Sequence, residues 1–142
     1  MQTPMYIILF KVYHAQRKHF RKDMERYNLA PGQPKVLRYI ALHPDCKLKD
    51  IADACDLKSA TVSKTLNNLE QKGLLLRRIN PENKRAYQLI VTDSGKEAII
   101  KWDKHCYDSE KLVLKGFTDS EKKQLSDFFC RMYFNLTGKE IE

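Results

Sequence analysis

The segment from Leu48 to Leu69 constrains the fold of this chain more than any other part of the sequence. Its apolar residues recur at helical spacing in two short blocks, which predicts helices over about 47–55 and 59–71. Asp56 stands between the blocks and suits a tight turn, because Asp tolerates the left-handed backbone conformation better than most residues. Ala52 is small enough for the second helix to cross close to the first. The pattern therefore predicts a helix-turn-helix.

The second predicted helix has two chemically different sides. Val62, Leu66 and Leu69 share an apolar side, whereas the opposite side is small, polar or basic. A narrow helix with such a front fits the major groove of DNA, although an ordinary amphipathic helix in a small bundle is the alternative. We also expect Ser59 to cap this helix, since Lys58 is a poor cap. The predicted DNA-contacting residues of the helix are Ser59, Ala60, Thr61, Ser63, Lys64 and Asn67.

A basic hairpin follows the helix-turn-helix. Residues 74–79 and 86–91 alternate in polarity around a polar turn, which predicts two strands that form a wing. Arg85 at the tip is placed to enter a minor groove, and Arg77, Arg78 and Lys84 are placed to contact phosphates. The alternative is a charged hairpin that only prevents edge pairing.

The excess of positive charge lies in the part of the chain that contains the helix-turn-helix and the wing turn. Residues 1–85 contain 17 basic and 8 acidic side chains, whereas residues 86–142 contain 9 and 10. A positive field of this kind attracts a polyanion, although it also serves solubility.

Helices are predicted on both sides of this region. They cover about 5–27, 33–42, a long stretch that starts at Thr92-Asp93 and is broken at Gly116, and a last helix capped by Thr118 and Glu121. We expect Val36, Leu37, Ile40 and Ala41 to share the packed side of the second of these. The fold class is therefore mainly α with a small β-hairpin.

The first and last helices carry more large apolar residues than one small chain needs to bury. We expect a second copy of the chain to cover some of them, although packing within one chain is the alternative. Two copies would also present two recognition helices one DNA turn apart, as a palindromic site requires. The residues concerned are Ile7, Ile8, Leu9, Phe10, Phe128, Phe129, Tyr133 and Leu136.

Several other classes of protein are disfavoured. The longest apolar run, Met5 to Phe10, is too short for a membrane span and lacks signal-peptide features, so we expect no membrane contact and a cytoplasmic location. We find no phosphate loop and no catalytic Ser or Cys motif, so we expect neither an enzyme nor a cofactor.

The four cysteines lack C-x-x-C spacing, and we expect free thiols and no metal site. Cys46 beside Lys47 is the candidate reactive thiol, since a nearby ammonium favours thiolate. A thiol- or metal-responsive DNA-binding switch therefore stays an alternative, as does a winged-helix module that binds protein partners.

Four segments in this order resemble the MarR family of bacterial transcription regulators. Residues 29–37 resemble the entry to the family's second helix, 48–78 its helix-turn-helix and first wing strand, 83–95 its wing tip and second strand, and 117–125 the start of its last helix. The resemblance covers nearly the whole chain. It implies a single domain with dimerisation helices at 1–30 and 115–142, a winged helix-turn-helix at 33–92 and a connecting helix at 93–115.

Membership would imply a homodimer that regulates nearby promoters, more often as a repressor, on a palindromic operator. It would also imply release from DNA by a small, often aromatic or anionic ligand. Ser59, Ala60, Thr61, Ser63 and Lys64 match the family's recognition helix, and Arg85 matches its wing-tip arginine.

Two features depart from the family pattern. The wing tip usually reads Asp-x-Arg, whereas here Asn83 precedes Lys84 and Arg85, so Arg85 lacks the carboxylate that steadies it. The predicted first helix also lacks the early cysteine of the thiol-sensing branch, which disfavours peroxide sensing by that route.

We predict that Arg85→Ala weakens duplex DNA binding several-fold, because it removes a cation from the minor groove. A gel shift at controlled salt measures the effect. Unchanged affinity would contradict a role for the wing tip.

Overall fold

The computed structural model describes residues 1–82 and 87–141. The described elements are six α-helices, one 3₁₀ turn and a two-stranded antiparallel sheet, which confirms the predicted fold class. In chain order they are α1 (Met5–Arg21), the 3₁₀ turn (Met24–Tyr27), α2 (Gln33–Leu42), α3 (Leu48–Ala54), α4 (Ser59–Gln71), β1 (Leu75–Ile79), β2 (Tyr87–Val91), α5 (Asp93–Val113) and α6 (Asp119–Thr137).

The chain divides into two compact units, Met1–Tyr107 and Asp108–Glu142. The hydrophobic core lies in the first unit, where α4 packs on α2, α3 and β1. Ala98 and Trp102 of α5 complete this core. Its fully buried side chains are Val36, Leu37, Ile40, Ile51, Val62, Leu69 and Leu75.

The second unit contains the end of α5 and α6. Gly116 has φ +86° in the connection, and Thr118 caps α6. The Glu121 amide donates to Thr118 Oγ1 at 3.1 Å, and the Thr118 amide donates to the Glu121 carboxylate at 3.4 Å, which confirms the predicted capping box. None of the residues of α6 is buried.

The prediction of a first helix that continues to residue 27 is wrong. The α-helix ends at Arg21, and a separate 3₁₀ turn precedes Asn28, which adopts the left-handed conformation with φ 58°. Met24 and Leu29 are both buried, and the Leu29 amide donates to the Met24 carbonyl at 3.2 Å. The chain leaves the helical path because these two side chains turn into the core. Ala41 is exposed on α2, so its predicted packing is also wrong.

The predicted bounds of α2 and α4 are confirmed, and α3 is one residue shorter at each end. Asp56 has φ 54°, which confirms the predicted left-handed turn. In the hairpin Leu75 pairs with Val91 and Arg77 with Leu89, so that Leu75, Leu89 and Val91 face the core. In the described part of the chain, no helix has the length and apolar composition needed to cross a membrane.

The start of α5 lies directly against the end of the helix-turn-helix. Thr92 Oγ1 donates to the Gly73 carbonyl at 2.6 Å and accepts from the Gly95 amide at 3.0 Å. A Cβ atom on Gly95 would overlap the Leu74 carbonyl oxygen and would approach Val91 Cγ1 to 2.7 Å. Only glycine allows this close approach.

We predict that Gly95→Ala lowers the free energy of unfolding by about 1–3 kcal/mol, because the backbone of Leu74 must move. The loss occurs although alanine is the better helix former by about 1 kcal/mol. Urea unfolding measures it. Ser94→Ala, at an exposed neighbour in the same helical turn, is the matched control and should change stability little. A Gly95→Ala variant as stable as the parent protein would contradict the close packing.

Candidate nucleic-acid interface

The exposed front of α4 is the candidate interface. Val62, Leu66 and Leu69 are buried on the opposite side, and Thr65 is also buried, with Oγ1 donating to the Thr61 carbonyl at 2.8 Å. All six residues that the sequence predicted for DNA contact lie on the accessible part of the helix. Ser59, Ala60, Thr61, Lys64 and Asn67 are exposed, and Ser63 is half-buried.

The amino-terminal end of α4 is set by the turn after α3. The Leu57 amide donates to the Ala52 carbonyl at 2.9 Å, and the Asp56 backbone reverses the chain in the left-handed conformation. Ala52 is buried, as expected where two helices cross closely. These contacts direct the first turn of α4 away from the core.

The prediction that Ser59 caps α4 is wrong. Lys58 is the N-cap residue, with φ −75° and ψ 148°, and Ser59 is already the first helical residue. A cap must precede the first helical turn for its side chain to reach the free amides, and Ser59 follows that position. No side-chain hydrogen bond caps the amino-terminal end of α4, and Ser59 itself is exposed.

The carboxyl-terminal end of α4 is tied to the first residue of α2 and to the segment before that helix. Lys72 Nζ donates to Gln33 Oε1 at 2.8 Å and to the Asn28 carbonyl at 3.2 Å. Gln33 Oε1 also accepts from the Ala30 amide at 2.9 Å, and Gln33 is buried. Burial lowers the pKa of Lys72 below its usual value. No local sequence pattern predicted this tether, because Gln33 lies 39 residues from Lys72.

Arg77 of β1, the first strand of the wing, makes polar contacts with α4. Arg77 Nη2 donates to Asn67 Oδ1 at 2.8 Å, and Arg77 Nε lies 2.9 Å from Glu70 Oε2 in an ion pair. The Arg77 side chain is 26% exposed, whereas the neighbouring Arg78 belongs to the exposed residues. The sequence predicted DNA contacts for Asn67 and Arg77 separately and gave no sign that the two side chains pair with each other. Lys84 and Arg85, the predicted wing-tip residues, lie outside the described residues.

A second basic surface lies on α1. This helix contains no Asp or Glu. Its last turns present a groove lined by basic side chains, so an anion is the ligand that this surface favours. The lining residues are His14, Arg17, Lys18, Arg21 and Lys22.

The prediction of a reactive thiol at Cys46 is wrong. Cys46 is buried, and burial raises the pKa of its thiol, as does the Asp50 carboxylate. Both effects oppose the influence expected from Lys47. Burial also raises the pKa of Cys55, whose Sγ lies 3.7 Å from the Lys35 carbonyl oxygen. Within residues 1–82 and 87–141, no three His, Cys, Asp or Glu residues are grouped so as to hold a metal ion.

Comparison with known proteins gives consistent results. A sequence model of the MarR family matches residues 29–87. The chain is 33% identical over 111 residues to the HTH-type transcriptional regulator BilQ of Clostridioides difficile, a match that covers 73% of this chain and 70% of BilQ.

Solved structures agree in fold. The crystal structure of MarR is similar with a TM-score of 0.79 and 27% identity, over 95% of this chain and 92% of that one. The structure of the Staphylococcus aureus MepR–DNA complex is similar with a TM-score of 0.80 and 20% identity, over 94% and 97% of the two chains.

We predict that native Cys46 reacts with iodoacetamide about tenfold or more slowly at pH 7.5 than in the urea-unfolded chain, because a raised pKa and burial both lower the accessible thiolate. As the pH is raised, the labelling rate of Cys46 should begin to increase at a higher pH in the native protein than in the unfolded chain. Mass spectrometry of the labelled peptide measures both. Equal rates in the native and unfolded chains would restore Cys46 as a candidate sensor.

Proposed function

This chain belongs to the MarR family, and from that premise we propose that it is a transcription regulator that binds double-stranded DNA through α4 and the β1–β2 wing. One observation carries the proposal. The front of α4 is accessible along its length, with only Ser63 half-buried, and it contains Lys64 and has no carboxylate between Ser59 and Asn68. A helix of this shape and charge fits a major groove lined by phosphates.

We assign roles to the individual residues of this surface on chemical grounds. The hydroxyls of Ser59, Thr61 and Ser63 reach phosphates or base edges, and Ala60 allows close approach to a base. Lys64 pairs with guanine or phosphate. Asn67 lies one turn further along the helix. On the wing, Arg78 and Lys84 contact phosphates and Arg85 enters the minor groove.

The proposed assembly is a homodimer on a palindromic operator. Most large apolar residues of α1 and of α6 stay exposed in the single chain, with Phe10 66% and Phe128 51% accessible. Exposed aromatic side chains in such numbers are typical of an interaction surface. We therefore assign 1–30 and 115–142 to the dimer interface, 33–92 to DNA binding and 93–115 to the connection, within one cytoplasmic, non-enzymatic regulator.

We further propose that the regulator is a repressor released by a small aromatic or anionic ligand. The basic groove on α1 supports an anion, since four of its five lining residues are lysines or arginines and the fifth is His14. Such a ligand binds more tightly when the two α4 helices of the dimer stand at a spacing that does not match DNA. DNA affinity then falls by the difference in ligand-binding free energy between the two spacings, commonly about 1–3 kcal/mol.

We predict that affinity for duplex DNA falls about a thousandfold between 50 and 200 mM salt, as several phosphate contacts require. Lys64→Ala should lower the slope of log affinity against log salt by about one, because it removes one phosphate or base contact. Fluorescence anisotropy with a duplex selected from a random pool measures the slope.

Lys123→Ala is the matched control for the loss of one lysine. Lys123 lies on α6 and pairs with Asp127 at 3.0 Å, so its removal should leave the slope unchanged. Light scattering on the same samples should give the mass of a dimer. A monomer that ignores duplex DNA at low salt would overturn the proposal and favour a protein-binding module.

A further inference from the structure

The contact between Asn67 and Arg77 determines how this part of α4 can recognise DNA. We infer that Asn67 presents its amide NH₂ group to DNA, because the hydrogen bond from Arg77 turns its carbonyl oxygen toward the wing; this inference rests on the proposed function. A guanidinium carries five N–H donors and no acceptor, so the Asn67 group that faces Arg77 Nη2 at 2.8 Å must be the amide oxygen. The amide NH₂ group remains for an outside partner.

Glu70 fixes the guanidinium in this position. Its Oε2 forms an ion pair with Arg77 at 2.9 Å from Nε, while Nη2 donates a hydrogen bond to Asn67, so two side chains of α4 contact one planar group. Asn67 and Glu70 are three residues apart and therefore lie on neighbouring positions of the helix surface. The side chain of Arg77 is thereby partly withdrawn from solvent and partly neutralised.

An asparagine held in this orientation is poorly placed for the usual recognition of adenine. That recognition needs both amide groups, since the oxygen accepts from adenine N6 while the nitrogen donates to N7. The Asn67 oxygen keeps a second lone pair, but its contact with Arg77 holds it toward the wing, so the amide would have to turn to aim both groups at one base. The available partners are instead acceptors: a phosphate oxygen, O6 or N7 of guanine, or O4 of thymine.

The same geometry assigns different roles to the two consecutive wing arginines. Arg77 is a positioning residue that acts through Asn67, whereas Arg78 is exposed and free to approach a phosphate. Substitution of Arg78 should therefore weaken binding to all sequences alike. Substitution of Arg77 should alter which base is preferred.

The first test replaces the amide. Asn67→Asp is nearly isosteric and keeps an acceptor for Arg77, but it has no donor, so DNA affinity should fall about tenfold or more at constant salt. Asn68→Asp adds the same charge at the next exposed position of α4 and should cost clearly less. Equal losses in the two variants would overturn the inference.

The second test separates positioning from phosphate contact. Arg77→Met and Arg78→Met are compared by selection from random duplexes and by the salt slope, after thermal melting confirms that both variants fold. Arg77→Met should leave the slope near the parent value and gain acceptance of adenine at one position, because the Asn67 oxygen is freed. Arg78→Met should lower the slope by about one and leave base preference unchanged.

The outcomes separate this inference from the proposed function. A parent protein that binds no duplex overturns both. If the parent protein binds DNA but Arg77→Met lowers the salt slope as Arg78→Met does, only the proposed orientation of Asn67 is overturned. The same holds if Arg77→Met leaves the base preference unchanged.

Discussion

The candidate interface depends on the burial of the opposite side of α4. Val62 and Leu69 are fully buried and Leu66 almost so, against a core built from α2, α3 and β1. Each such side chain contributes about 1.5–3 kcal/mol when it leaves water. That burial orients the whole helix, because rotation of α4 about its axis would expose these residues. The polar front therefore faces outward as a consequence of what the other side packs against.

Both ends of α4 are held by contacts other than side-chain packing. At the start, Asp56 in the left-handed conformation and the bond from the Leu57 amide to the Ala52 carbonyl fix the entry of the chain. At the end, Lys72 bonds to Gln33, the first residue of α2, and to Asn28 in the segment before it. A binding surface on a helix held in this way keeps its side chains in defined positions before any partner arrives.

Predictions from the sequence succeeded where a local pattern was sufficient. The apolar periodicity gave the bounds of α2 and α4, and the Thr118–Glu121 pair marked the start of α6. They failed where the chain turns toward the core. The first helix ends at Arg21 because Met24 and Leu29 become buried, and Cys46 is buried by the fold, whatever residue stands beside it in the sequence.

The sequence by itself determined the mainly helical fold with one hairpin, the two-sided character of α4 and the basic balance of residues 1–85, since these follow from local spacing and composition. Only the tertiary structure decided which polar groups meet. The Asn67–Arg77 bond joins a helix to a strand ten residues later, and the Lys72–Gln33 bond spans 39 residues. Such pairs depend on how α4 is rotated and where β1 lies against it, and no local pattern in the chain encodes either.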